Sequence, residues 1–144
     1  MGILGRLFKK EEEHPVLDAS SPAAGRIQEF KGELEQFIQK MHDRIQLVPA
    51  EDTVYIYVGK PPGMFGMAWF ENGAEVNFKT LMTKEKGLSQ RRVQHISLKL
   101  GEAYENHKEA PRYSVDISGK TLTVIPSDTL ASEIKRIIKE GLEA

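Results

Sequence analysis

Residues 65–80, FGMAWFENGAEVNFKT, read as a β-hairpin closed by Asn72-Gly73. A two-residue Asn-Gly loop suits a type I′ turn, because both central residues must reach positive φ and the turn's twist matches the strands. With the turn set there, Trp69 faces Val76 and Met67 faces Phe78, with Phe65 pointing the same way. The other side carries Gly66, Ala68 and Phe70 against Lys79, Asn77 and Glu75. A slip of one residue would expose Trp69, so the bulky side holds the register. The stretch supplies the centre of a sheet and no chemistry of its own.

Upstream, Val54, Ile56 and Val58 alternate with Thr53, Tyr55 and Tyr57, which marks a strand at about 52–59, and Pro61-Pro62-Gly63 separates it from the hairpin. Further back, Ser21-Pro22 offers an N-cap and a first-turn proline. Ile27, Phe30, Leu34, Phe37, Ile38, Met41 and Ile45 then recur at helical spacing, so the pattern predicts one long helix over 22–46. Residues 11–20, opening with Glu11-Glu12-Glu13-His14-Pro15, read as a linker. Ahead of it, residues 1–10 place Ile3, Leu4, Leu7 and Phe8 at helical spacing beside Arg6, Lys9 and Lys10.

Downstream, Ser89 caps a second helix with Val93, Ile96, Leu100, Ala103, Tyr104 and His107 on one face, and Pro111 stops it. Tyr113, Val115 and Ile117 alternate on one strand of a second hairpin, with Leu122 and Val124 on its partner. A Gly119-Lys120 loop of type II′ would set Ile117 against Leu122 and Val115 against Val124. Pro126-Ser127-Asp128 precedes a last helix with Leu130, Ile134, Ile137, Ile138 and Leu142 on its apolar face. The expected order is α-β-β-β-α-β-β-α. It describes a single α+β domain over 21–144, with a mostly antiparallel five-stranded sheet and the helices packed on one face.

The 144 residues contain no cysteine, which excludes disulfides, thiolate metal sites and cysteine nucleophiles and fits a cytoplasmic setting. A formal net charge of −1 advertises no nucleic-acid partner. No apolar run reaches the length of a membrane span, and the N-terminus lacks the long apolar core of a secretory signal. His14, His42, His95 and His107 show no metal-ligand spacing, and no phosphate loop, dinucleotide fingerprint or nucleophile elbow is present. No catalytic residue, metal or cofactor is therefore assigned.

Three sets of residues remain as candidate contacts. Gly66 and Ala68 read as a shallow floor on the outer sheet face, with Met64 and Phe70 at its edges, suited to a protein partner or a second subunit. Arg91, Arg92 and Lys99 lie with His95 near one side of the second helix and make a candidate anion site, although Glu102, Glu105 and Glu109 continue the helix with the opposite sign. That order opposes the helix dipole and leaves two readings, a solvated face or pairing to another segment or subunit, of which the solvated face is the ordinary one. Ile3, Leu4, Leu7 and Phe8 suit a membrane interface, a protein contact or a free tail, which leaves peripheral membrane contact open.

Tyr113-Ser-Val-Asp-Ile-Ser-Gly119 and Thr121-Leu-Thr-Val-Ile-Pro126, ahead of the closing amphipathic helix, carry a resemblance that spans Pro22 to Leu142. In element order the chain resembles the class I chaperones of type III secretion and the related YbjN-like domains. The resemblance implies a small dimeric α+β protein that binds other proteins. The reading is thus a non-enzymatic, dimeric, chaperone-like binding module. The alternative is a small-molecule or catalytic domain with a pocket between the first helix and the sheet, using Tyr55, Tyr57, Asn77 and Arg91.

Overall fold

In the computed structural model, residues 14–83 and 86–143 are described. Ser21 begins the first helix, its hydroxyl accepting the Ala24 N–H at 3.2 Å, and Pro22 occupies the first turn. The helix expected over 22–46 is interrupted. It forms α1 (Pro22–Glu29) and α2 (Lys31–Lys40), with Phe30 between them at φ −109° and ψ 21°. Gly25 and Gly32 weaken the helical preference on either side of that break. Beyond Met41 the backbone is extended and enters β1 (Ile45–Pro49). Ile45 sits four residues after Met41 and so continues the helical stripe on paper. Ile45 and Leu47 alternate with Gln46 and Val48, however, and all four are buried, so the strand lacks the polar alternation that would announce it.

β2 (Val54–Gly59), β3 (Phe65–Glu71) and β4 (Ala74–Asn77) follow as a meander, then a one-turn helix α3 (Phe78–Leu81) and the long α4 (Gln90–Asn106). β5 (Tyr113–Ile117), β6 (Lys120–Val124) and α5 (Asp128–Glu143) complete the described chain. The sheet has six strands in the order β4-β3-β2-β1-β6-β5. β1 and β6 are parallel and every other neighbouring pair is antiparallel. The fold is therefore α+β with a mixed sheet, one strand more than expected.

Helices cover both faces of the sheet, not one. α1 and α2 set Ile27, Leu34, Phe37 and Ile38 on Ile45, Leu47, Val54, Ile56, Ala68, Phe70, Leu122 and Val124. α4 and α5 set Val93, Ile96, Leu100, Ile134 and Ile138 on Val48, Tyr55, Tyr57, Met67, Trp69 and Ile125. Two layers are required because β1 and β2 are apolar on both sides, and an uncovered side would expose that surface to water.

The first hairpin forms in its expected register, with Trp69 opposite Val76, Ala68 opposite Asn77 and Phe70 opposite Glu75. Asn72 and Gly73 both take positive φ, 53° and 79°. Pairing stops at Asn77, whose side chain accepts the Thr80 N–H at 3.0 Å while the Thr80 hydroxyl accepts the Asn77 N–H at 2.8 Å. This capping box starts α3, so Phe78 and Lys79 do not pair with Met67 and Gly66. In the second hairpin the turn is Ser118-Gly119, at φ 54° and 79°, and Ile117 faces Lys120 while Val115 faces Leu122. The register differs by two residues from the expected one because glycine takes the second turn position, as type I′ prefers. A shift of two keeps every side chain on its predicted face.

Within the expected linker 11–20, residues 15–17 join the sheet. Ser114 donates its N–H to the Pro15 carbonyl at 2.8 Å, and Leu17 donates to the Ser114 carbonyl at 2.9 Å. Leu17 is buried. Ile3, Leu4, Leu7 and Phe8 lie outside the described residues.

Candidate interaction groove between α4 and α5

Ser89 caps α4 by accepting the Arg92 N–H at 3.1 Å, and Ser127 caps α5 by accepting the Leu130 N–H at 3.1 Å. Both helices lay one apolar stripe on the sheet and touch each other along their length. At one end His107 approaches Glu133, with Nδ1 3.9 Å from a carboxylate oxygen, and at the other Arg92 donates to the Gly141 carbonyl at 3.3 Å. These contacts fix an antiparallel pair. Gly141 lies at the crossing, where an added Cβ would stand 2.5 Å from Cδ1 and Cγ1 of Ile96. The missing side chain is what lets the helices approach there.

Beside that crossing is a groove of about 470 Å³ lined by Ser89, Arg91, Arg92, His95, Ile96, Lys99, Ile137, Glu140 and Gly141. The three residues expected to form an anion site, Arg91, Arg92 and Lys99, all line it. Ile96 and Ile137 supply apolar surface below them. Arg91 and Lys99 are exposed and enter no ion pair among the described residues, whereas Glu140 on the opposite wall is paired with Arg136 at 3.6 Å. The groove therefore carries an excess of positive charge above an apolar base.

The other candidate residues do not come together. Ala68 and Phe70 are 2% and 5% exposed, because α1 and α2 cover the face that was expected to be open. Phe70 stacks on Phe30 with ring centroids 6.1 Å apart, and its N–H donates to the buried Thr53 hydroxyl at 2.9 Å. Gly66 shares that face. Of the four, Gly66 is half-buried and Met64 is open to solvent, at 93%.

The residues expected to line a small-molecule pocket are also dispersed. Tyr57 is fully buried and donates its hydroxyl to the Leu100 carbonyl at 2.8 Å. Burial pushes its phenol well above the ordinary tyrosine range, with Tyr104 and Glu133 adding to the shift. Tyr55 instead borders a cleft with Trp69, Lys135 and Lys139, its phenol raised first by burial and then by Asp52 and Glu71. Asn77 is engaged as a helix cap, and Arg91 belongs to the α4–α5 groove.

One polar cluster is absent from the sequence reading. Gln46 is fully buried in β1, accepts the Tyr104 hydroxyl at 3.0 Å, and has no partner for Nε2. Tyr104 packs edge-on against Tyr57 and lies beneath the Arg112 guanidinium, 5.5 Å from the ring centre. A lone glutamine inside the run Ile45-Gln46-Leu47-Val48 is the signal that could have found it. Among the described residues no group of acidic residues and histidines is arranged to hold a metal ion.

Comparison with protein-family models, curated proteins and solved structures gives no match. Among the described residues no helix is long and apolar enough to cross a membrane.

Proposed function

We propose that this chain is a non-enzymatic protein-binding module, and that the groove between α4 and α5 receives an acidic, partly apolar segment of its partner. The observation that carries this reading is the convergence of Arg91, Arg92, His95 and Lys99 above Ile96 and Ile137. Cations over an apolar base complement a segment that presents carboxylates beside aliphatic side chains. The dispersal of Tyr55, Tyr57, Asn77 and Arg91 weighs against a single small-molecule pocket.

Fluorescence anisotropy tests it with a labelled amphipathic peptide of glutamate and leucine, compared with its lysine and leucine counterpart. The acidic peptide should bind, and binding should weaken with salt. Lys99→Glu should weaken it by about tenfold, equivalent to ~1.4 kcal/mol. Equal binding of both peptides, or an unchanged affinity in Lys99→Glu, would refute the assignment.

A further inference from the structure

The outward crest of α4 carries a pattern that the groove does not use. Arg91, Leu98 and Glu105 are spaced seven residues apart and so fall on one stripe of the helix, drifting by only about 20° per step. Leu98 is the middle residue of the 17-residue helix and is 62% exposed. The stripe is basic on one side of Leu98 and acidic on the other, with Arg91 seven residues before it, Glu105 seven after it, and exposed Glu102 on the same acidic half. This order is unfavourable for an isolated helix, whose N-terminus repels cations and whose C-terminus repels carboxylates. Within the chain little offsets it: Arg91 and Glu102 enter no ion pair among the described residues, and Glu105 meets only Lys108, 3.4 Å away in an exposed contact.

A surface that is basic, apolar and acidic in sequence complements itself when reversed. We propose that two copies of this chain pair through α4, antiparallel, about a two-fold axis at Leu98. Leu98 then meets Leu98 of the second copy, and each Arg91 lies opposite the second copy's Glu105. Such a contact is isologous and closes on itself, as two-fold interfaces do. Apolar surface beside the crest extends it, since Pro62 packs on Gly101 and brings the loop with exposed Met64 alongside the same part of the helix. A helix of 17 residues is about 26 Å long, which places the interface at the small end and makes the pairing concentration-dependent. Arg91 belongs to both features, but Lys99 lines the groove and Leu98 does not. The groove and the pairing can therefore fail separately.

Sedimentation velocity on the full chain over a concentration series into the millimolar range is the first measurement. A shift from monomer to dimer mass is expected, and monomer mass throughout would overturn the proposal. Leu98→Asp should abolish the shift with an unchanged melting temperature, because the side chain is exposed in the monomer. Arg91→Glu and Glu105→Arg should each weaken dimerisation at least tenfold, and the double variant should restore it, since the reversed charges again meet across the axis. A dimer indifferent to Leu98→Asp, or a double variant no better than the singles, would place any dimer contact elsewhere and sink the two-fold pairing. The chain has no cysteine, so Leu98→Cys introduces a single thiol. Mild oxidation should link two copies rapidly at position 98 and slowly in a Glu143→Cys control, and equal rates would count against the axis at Leu98.

Discussion

The two faces of the sheet are built from different materials. Beneath α1 and α2, the strands present Ile45, Leu47, Val54, Ile56, Ala68, Phe70, Leu122 and Val124, all aliphatic or phenyl side chains. Beneath α4 and α5, the apolar residues are accompanied by Tyr55, Tyr57, Trp69 and Gln46. Two hydroxyl contacts then cross from one layer to the other, Tyr57 to the Leu100 carbonyl and Tyr104 to Gln46. An apolar interface resists separation but leaves sliding cheap, whereas directional bonds select one position. The layer that holds the candidate groove is thus the one tied to the sheet by side-chain hydroxyls.

Truncating a buried aromatic on each face tests the contrast most severely. Phe37→Ala on one face and Trp69→Ala on the other should each cost about 3–5 kcal/mol in denaturant melts, as both side chains are nearly fully buried. A small loss for either would show that its face can collapse around the cavity.

Glycines sharpen it at the next level. Gly141→Ala should destabilise by about 1–3 kcal/mol, because its Cβ meets Ile96, and Ile96→Val in the same chain should recover part of the loss. Gly25→Ala in α1, where nothing lies within 4 Å, should stabilise by about 0.5–1 kcal/mol through helix propensity. Thermal melts of the two single variants should therefore move in opposite directions.

The smallest test addresses the polar contacts. Tyr104→Phe should cost about 1 kcal/mol, since it strands a buried carboxamide that already has one unpaired end. Adding Gln46→Met should return most of that loss, and a double-mutant cycle reads the coupling. Additive losses would show that Gln46 and Tyr104 act separately.

Local signals account for what could be read from the chain. Asn72-Gly73 fixed its hairpin because two successive positive φ angles are a demand few residue pairs meet. α4 and α5 were readable because a 3.6-residue period persists through 17 and 16 residues. β1 was not, since burial on both faces removes the alternation and leaves Ile45 looking like the next turn of a helix. The same two-sided burial calls for a second layer of helices, and that layer covers Ala68 and Phe70. Arg91, Arg92 and Lys99 could be grouped from their spacing on one helix. The opposite wall could not, because Ile137 and Gly141 reach the groove through a helix pairing that no local pattern encodes.

The sheet's two outer strands have little main chain left to offer. On β5, Ser114 has both its N–H and its carbonyl taken by residues 15–17, and on β4 the N–H of Asn77 turns back to Thr80 before the strand gives way to a helix. Open rims are where one sheet can recruit another and grow without limit. Here the chain itself occupies part of each rim, which disfavours strand addition. The proposed pairing through α4 differs in kind, because an isologous contact closes after one partner and does not propagate.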